Sequence, residues 1–244
     1  MFSFFRKKTQ VENLDWLGVD IHSHLLPGID DGSPDVATSI HLIKELNELG
    51  LSKFYCTPHI FTELYPNSRE TILPALDEVK SALQHANINI EIGAAAEHMV
   101  DETFKVHDNL LALPGKYILV EMSFLSEFPN IDKVIFDLQI NGYFVILAHP
   151  ERYNFYHKDL QRFQRLKEMG VLLQLNLLAV TGYYGKEVKI TADYLLENRL
   201  YDLAGTDLHH VKHLKALTAT VRNGSLFNKL GHYPFRNKEL FLMS

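Results

Sequence analysis

The chain has 244 residues, 46% of them hydrophobic, which is enough to bury a full core and favours one large domain over two small ones. A formal charge of −6, from 24 basic against 30 acidic residues, leaves no chain-wide basic footprint and argues against nucleic acid as a partner. The single cysteine, Cys56, excludes an internal disulfide and fits a reducing compartment, so a soluble, cytoplasmic protein is expected.

The opening "MFSFFRKKTQ" lacks the apolar core of a secretory signal, and residues 1–15 read as an N-terminal extension ahead of one domain over 16–244. Phe2, Phe4 and Phe5 beside Arg6 to Lys8 raise a contact with a membrane surface or a partner, against the plainer reading of an ordinary chain end. No run approaches the length of a transmembrane segment. The first strand is expected in "WLGVDIHSH". A helix follows, with Ser33 as its cap, Pro34 at its first position, Asp35 on the positive dipole end, and Val36, Ile40, Ile43 and Leu46 as its apolar stripe. Gly50 ends it. Further strands are predicted in "LSKFYCTPH", "INIEIGAAAE", "YILVEMSF", "YFVILAHPE", "VLLQLNLLAV" and "YDLAGTDLHH", with helices near 68–86, 130–141, 158–169, 187–198 and 212–222. Apolar runs alternating with helical stretches are the pattern of parallel strands joined by helices, so a barrel of strand and helix units is expected, ahead of an open doubly wound sheet.

In either architecture chemistry gathers at the carboxyl ends of the strands, and metal-binding side chains stand there: His22 and His24, His59, Glu97, Glu121, His149, Asp207 and His209. Strand alternation lets His22 and His24 point together, and likewise Asp207 and His209. One His-x-His reads equally well as satisfied core histidines, but recurrence around the strands favours a shared metal cluster. Imidazoles and carboxylates without thiolate suit manganese, iron or zinc. "GIDDGSPD" is also a good turn and helix entry, which leaves Asp31 open as a ligand on these grounds. Arg152 follows His149 by three residues, where a guanidinium can clamp a phosphate oxygen; an ion pair with Glu151 is the plainer alternative. His98 and His210, beside candidate ligands, are expected to point away. Cysteine-based phosphatase chemistry needs an arginine six positions after Cys56, and that position is Thr62.

The set "DIHSHLLPGIDDG", "TPH", Glu97, "VEMSF", "AHPERY" and "GTDLHH" resembles the polymerase and histidinol phosphatase (PHP) superfamily. Within it, the chain is similar to the bacterial manganese-dependent protein-tyrosine phosphatases of capsular and exopolysaccharide gene clusters, in order from about residue 19 to 210. The resemblance implies an α/β fold, a distorted (β/α)7 TIM-like barrel in a single domain, with three divalent metal ions, manganese foremost and iron or zinc as alternatives. By it, His22, His24, Glu97 and Asp207 hold one metal, Glu97, Glu121 and His149 a second, and Asp31, His59 and His209 a third. Arg152 binds the substrate phosphate. On chemical grounds apart from the resemblance, His59 or His209 assists the leaving group where it is not fully committed to metal. The implied partner is phosphotyrosine in the tail of a bacterial tyrosine kinase. One departure stands out: the family's second arginine after Asp-x-His is absent from "HHVKHLKAL", which leaves Lys212 or His213 as its replacement, or a different substrate contact, as the alternatives. Metal-assisted hydrolysis of phosphotyrosine is the leading expectation. Its rivals are a small-molecule phosphatase of the histidinol-phosphate kind and a non-catalytic metal-binding regulator.

Overall fold

Every pair of strands in the computed structural model, which describes residues 11–242, is parallel. Strands β1 (Val19–Asp20), β2 (Lys53–Cys56) and β4 (Glu91–Ala94) form one short sheet in the order β1-β2-β4. Strands β3 (His59–Ile60), β5 (Glu97–Met99), β6 (Tyr117–Glu121), β7 (Phe144–Ala148), β8 (Leu172–Asn176) and β9 (Leu203–Gly205) form the other, in that order. The two sheets share staves. Pro58, which has no N–H to donate, interrupts β2 from β3, but the Ala95 N–H reaches Cys56 O at 2.9 Å and the Glu97 N–H reaches Pro58 O at 3.1 Å. With β2–β3 and β4–β5 each one stave, the nine strands among the described residues make the seven staves that the apolar runs predict.

The barrel closes between its first and last staves. The Asp207 N–H donates to His22 O at 2.8 Å, the His24 N–H donates to Leu208 O at 3.0 Å, and Ser23 bridges Leu208 in parallel sense. Below this point β1 and β9 are joined through side chains. Asp20, fully buried, accepts from the Thr206 N–H at 3.0 Å and from the Thr206 hydroxyl at 2.6 Å. Buried Asn237 stands in for a missing strand: its amide nitrogen donates to Val19 O and Ala204 O, and its oxygen accepts from the Ala204 N–H.

Helices α1 (Val36–Glu48), α2 (Arg69–His85), α3 (Ile131–Ile140), α4 (Gln161–Glu168), α5 (Lys186–Glu197) and α6 (Val211–Arg222) fall where the periodicity places them. A short α7 (Ser225–Leu230) and a π-helical segment, Lys238–Leu242, were not foreseen. The first helix differs at its entry. Asp35, not Ser33, is the cap, accepting from the Thr38 N–H at 2.7 Å. The Ser33 hydroxyl is instead buried against Ser39, donating to Asp35 O while the Ser39 hydroxyl donates to it. The buried stripe is Ser39, Leu42, Ile43 and Leu46, with Val36 and Ile40 only partly covered.

Two cores result. One lies between helices and staves; the other fills the barrel with inward side chains such as Val19, Ile21, Leu119, Ile146 and Leu203. The second is closed below by Phe241, fully buried against Tyr55 and Tyr117. The aromatic and basic residues of positions 1–10 lie outside the described residues, whereas Leu14, within the expected extension, is fully buried and its N–H bonds to Leu49 O. Cys56 is buried, and burial pushes its thiol up to about 12.

Asn237→Ala removes three hydrogen bonds and strands buried backbone groups of β1 and β9, so chemical denaturation is expected to show a loss of about 3 kcal/mol. An aromatic disulfide reagent is expected to leave Cys56 untouched in the native protein and to titrate one thiol after unfolding.

Candidate metal centre

Each stave delivers its polar side chains at the upper rim because its lower part is committed to the barrel core. From β1 come His22 and His24; the loop after them folds back through Ser33 N–H to His24 O and Gly28 N–H to Ser33 O, laying Asp30 and Asp31 against the stave's end. Gly32 is required there, since a Cβ would lie 2.2 Å from His24 O. His149 and Asp207 leave their staves with φ of 33° and 49°, left-handed backbone that non-glycine residues adopt at a cost of about 1–3 kcal/mol each. Such outliers gather at functional sites.

All nine sequence-predicted ligands meet. Their donor atoms form four overlapping groups: His24, Asp31, His59 and His209; His22, His24 and Asp207; His22, Glu97 and His149; His59, Glu97 and Glu121. The grouping differs from the resemblance in detail: His24 also joins the Asp31 set, and Glu121 falls with His59 and not with His149. At the centre is Glu97, fully buried. Its Oε2 lies 3.2 Å from His22 Nε2 and His59 Nδ1 and 3.4 Å from His24 Nε2, while Oε1 is 2.9 Å from His149 Nε2. Yet Oε2 has no partner of hydrogen-bond geometry. His59 contacts Glu121 Oε1 at 2.9 Å, and Asp31 Oδ1 lies 3.4 Å from His59 Nε2 and 3.6 Å from His209 Nε2. Asp31, half exposed, is the outermost of the set.

An outer shell fixes which nitrogen each imidazole offers. His22 Nδ1–H donates to Gln174 Oε1 at 2.8 Å, an amide orientation set by Gln174 Nε2 donating to Leu175 O. His24 Nδ1–H donates to Asp30 Oδ2 at 2.7 Å, and His209 Nδ1–H to Asp207 O at 2.9 Å. Their Nε2 lone pairs are thereby aimed inwards, the arrangement expected of imidazole ligands. His22 Nε2 and His24 Nε2 stand 3.4 Å apart, where two lone pairs repel unless positive charge lies between them. That charge is in demand. Burial disfavours the imidazolium of His24, but Asp30, Asp207 and Glu97 outweigh it and hold its pKa well above the ordinary value. Burial likewise opposes ionisation of Glu97, yet His22, His59 and His149 hold it well below the carboxylate range. The donor set therefore fits divalent cations, which would meet the same demand without protons.

Arg152 pairs with Asp207, not with Glu151. Its Nη1 donates to Asp207 Oδ2 at 2.7 Å, and the guanidinium is held between the rings of Phe124 and Tyr184, 4.6 and 4.7 Å from their centroids. Asn176 Nδ2 donates to the same Oδ2, leaving Oδ1 facing His22 and His24. Glu151 is fully buried, accepting from the Asn176 N–H and the Tyr201 hydroxyl. Of the two residues proposed for the second arginine, Lys212 is exposed, whereas His213 Nδ1 accepts from the His209 N–H at 3.3 Å. His98 turns away as expected and bonds to Leu111 O. His210 caps α6. Sequence reasoning missed Asp30, Gln174 and Asn176. The two amides of β8 sit at alternate positions in an otherwise apolar run, a signal that was there to be read.

Residues 18–223 match the family described as capsular polysaccharide synthesis, CpsB/CapC. The chain is 29% identical over 198 residues to the tyrosine-protein phosphatase YwqE of Bacillus subtilis, covering 80% of this chain and 78% of that one. It is 24% identical over 202 residues to the tyrosine-protein phosphatase CpsB of Streptococcus pneumoniae, covering 79% and 83%. Its fold is similar, at a TM-score of 0.79 and 28% identity over 91% of both chains, to a solved structure from work on YwqE and CpsB, described as metal-dependent tyrosine phosphatases.

Proposed function

From the premise that the chain belongs to the CpsB/CapC family of capsular polysaccharide synthesis, we infer that it is a metal-dependent protein-tyrosine phosphatase. The observation that carries this is the meeting of nine metal-type side chains in four overlapping groups, with a buried Glu97 oxygen among them that no hydrogen bond satisfies. His22, His24, Glu97 and Asp207, then Glu97, Glu121 and His149, then Asp31, His59 and His209 are the proposed holders of three divalent ions, with manganese the favoured occupant. Bound there, such ions supply Lewis acidity, lowering the pKa of a water and offsetting charge on phosphoryl oxygens.

The protein's own groups do the positioning. Arg152, fixed by Phe124 and Tyr184, offers the nitrogens not used on Asp207 to the phosphate. In the overall hydrolysis a water oxygen would bond to phosphorus as the bond to the phenolic oxygen breaks, giving tyrosine and phosphate. Because a phenolate leaves readily, the proton it takes up needs little assistance; His59 or His209 would give it only where its nitrogen is not committed to a metal. Asp30 and Gln174 hold His24 and His22 in their ligating tautomers. The proposed substrate is phosphotyrosine in the tail of a bacterial tyrosine kinase of polysaccharide export. A cytoplasmic location agrees with the lone buried thiol, and no helix among the described residues is long and apolar enough to cross a membrane.

Turnover of a phosphotyrosine peptide against histidinol phosphate, with and without manganese, tests the reading. The peptide is expected to be hydrolysed only by metal-loaded protein; no hydrolysis of it under that condition overturns the inference. His149→Ala is expected to lose metal and activity together in elemental analysis and assay. Arg152→Ala is expected to keep its metal and lose about 10- to 100-fold in kcat/KM, the worth of a hydrogen bond to a charged group. For Asp30→Ala, chelator competition is expected to read a metal affinity weaker by about 10- to 100-fold.

A further inference from the structure

Beside the ligand cluster opens a cleft of about 690 Å³. Asp31, His59 and Glu121 form one end of it, so it is continuous with the proposed centre. Aromatic side chains line it: Phe61, Tyr65, Phe124 and Phe128. Tyr65 stacks on His59, with ring planes 15° apart, which carries the aromatic wall down to the cluster. Such a cleft suits a phenyl ring whose phosphate reaches the ligand cluster.

The mouth has a different character. Of the further acids that line the cleft, Glu63 and Glu102 are exposed, Asp101 adjoins Glu102, and Glu127 is already paired with Arg162; no lysine or arginine lines it. Glu63 and Glu102 form no ion pair among the described residues. Asp101 also pins its turn, accepting from the Thr103 and Phe104 N–H groups, and the Thr103 hydroxyl donates to Thr62 across the two loops that carry the acids. Their side chains are thus presented on connected loops. Leu64 and Leu125, largely exposed, add apolar contacts to the same mouth.

Resting on the phosphatase reading, we propose that this acidic mouth selects phosphotyrosine segments flanked by lysine or arginine, drawing the basic side chains to Glu63 and Glu102 while the ring enters the aromatic cleft. Complementary charge at a rim acts mainly on encounter and on choice between partners, and salt screens it. Anionic flanks meet repulsion at the same place.

The experiment compares kcat/KM for peptides of equal length with a central phosphotyrosine and either lysine or glutamate on both sides, at low and at raised salt, with p-nitrophenyl phosphate as an ester too short to reach the mouth. The lysine peptide is expected to be favoured by about threefold to tenfold at low salt, and less at high salt. The double variant Glu63→Lys, Glu102→Lys is expected to reverse the preference and leave p-nitrophenyl phosphate turnover unchanged. Equal kcat/KM for both peptides, or a preference the double variant does not alter, overturns the acidic-mouth proposal while p-nitrophenyl phosphate hydrolysis still upholds the phosphatase. Failure of the metal-loaded protein on every aryl phosphate overturns the phosphatase reading itself, and this one with it.

Discussion

The closure of the barrel between β1 and β9 is the constraint on which everything else depends. His22 and His24 stand near one end of the chain and Asp207 and His209 near the other, and they meet because main-chain bonds from Asp207 to His22 and from His24 to Leu208 set the two staves side by side. Asp20 with Thr206 and Asn237 with Val19 and Ala204 continue that seam downwards through buried side-chain bonds. A slip of one residue along this seam would turn the ligand side chains to the wrong face. The buried polar groups that define the register are therefore as much a part of the site as the ligands.

A second consequence follows from the burial of Glu97. A carboxylate out of contact with water is costly unless positive charge lies beside it, and the nitrogens of four imidazoles, 2.9 to 3.4 Å from its oxygens, frame the place for that charge. Because Gln174, Asp30 and the Asp207 carbonyl take the outer protons of His22, His24 and His209, the inner nitrogens are committed to one direction before any ion arrives. Asp207 is divided similarly, one oxygen held by Arg152 and Asn176 and the other turned to the histidines. The centre is organised by its outer layer.

Much of this was legible in the sequence, for physical reasons. Parallel staves buried on both faces must be apolar runs, so a histidine or carboxylate closing such a run is conspicuous. His22, His59, Glu97 and His149 were found in this way. Asp31 was different, because Asp-Asp-Gly-Ser-Pro describes a turn equally well; only the fold-back onto His24, with Gly32 pressed on its carbonyl, brings it to the cluster. Asp30 did not stand out because its bond to His24 depends on that same fold-back. Ser33 fits a cap by residue type, yet it packs inwards because Ser39, a polar residue on the helix's inner face, bonds to it. The tail after Arg222 escaped notice since α7 has only 6 residues, too few to show a period.

The segment that stoppers the barrel has a bearing on traffic. Phe241, wedged against Tyr55 and Tyr117, closes the lower mouth, and among the described residues layers of aliphatic side chains fill the middle above it. The molecule is in effect a vessel open at one end. Anything released at the floor of the cleft must depart by the doorway through which the larger molecule came in, so arrival and departure take turns at a single entrance.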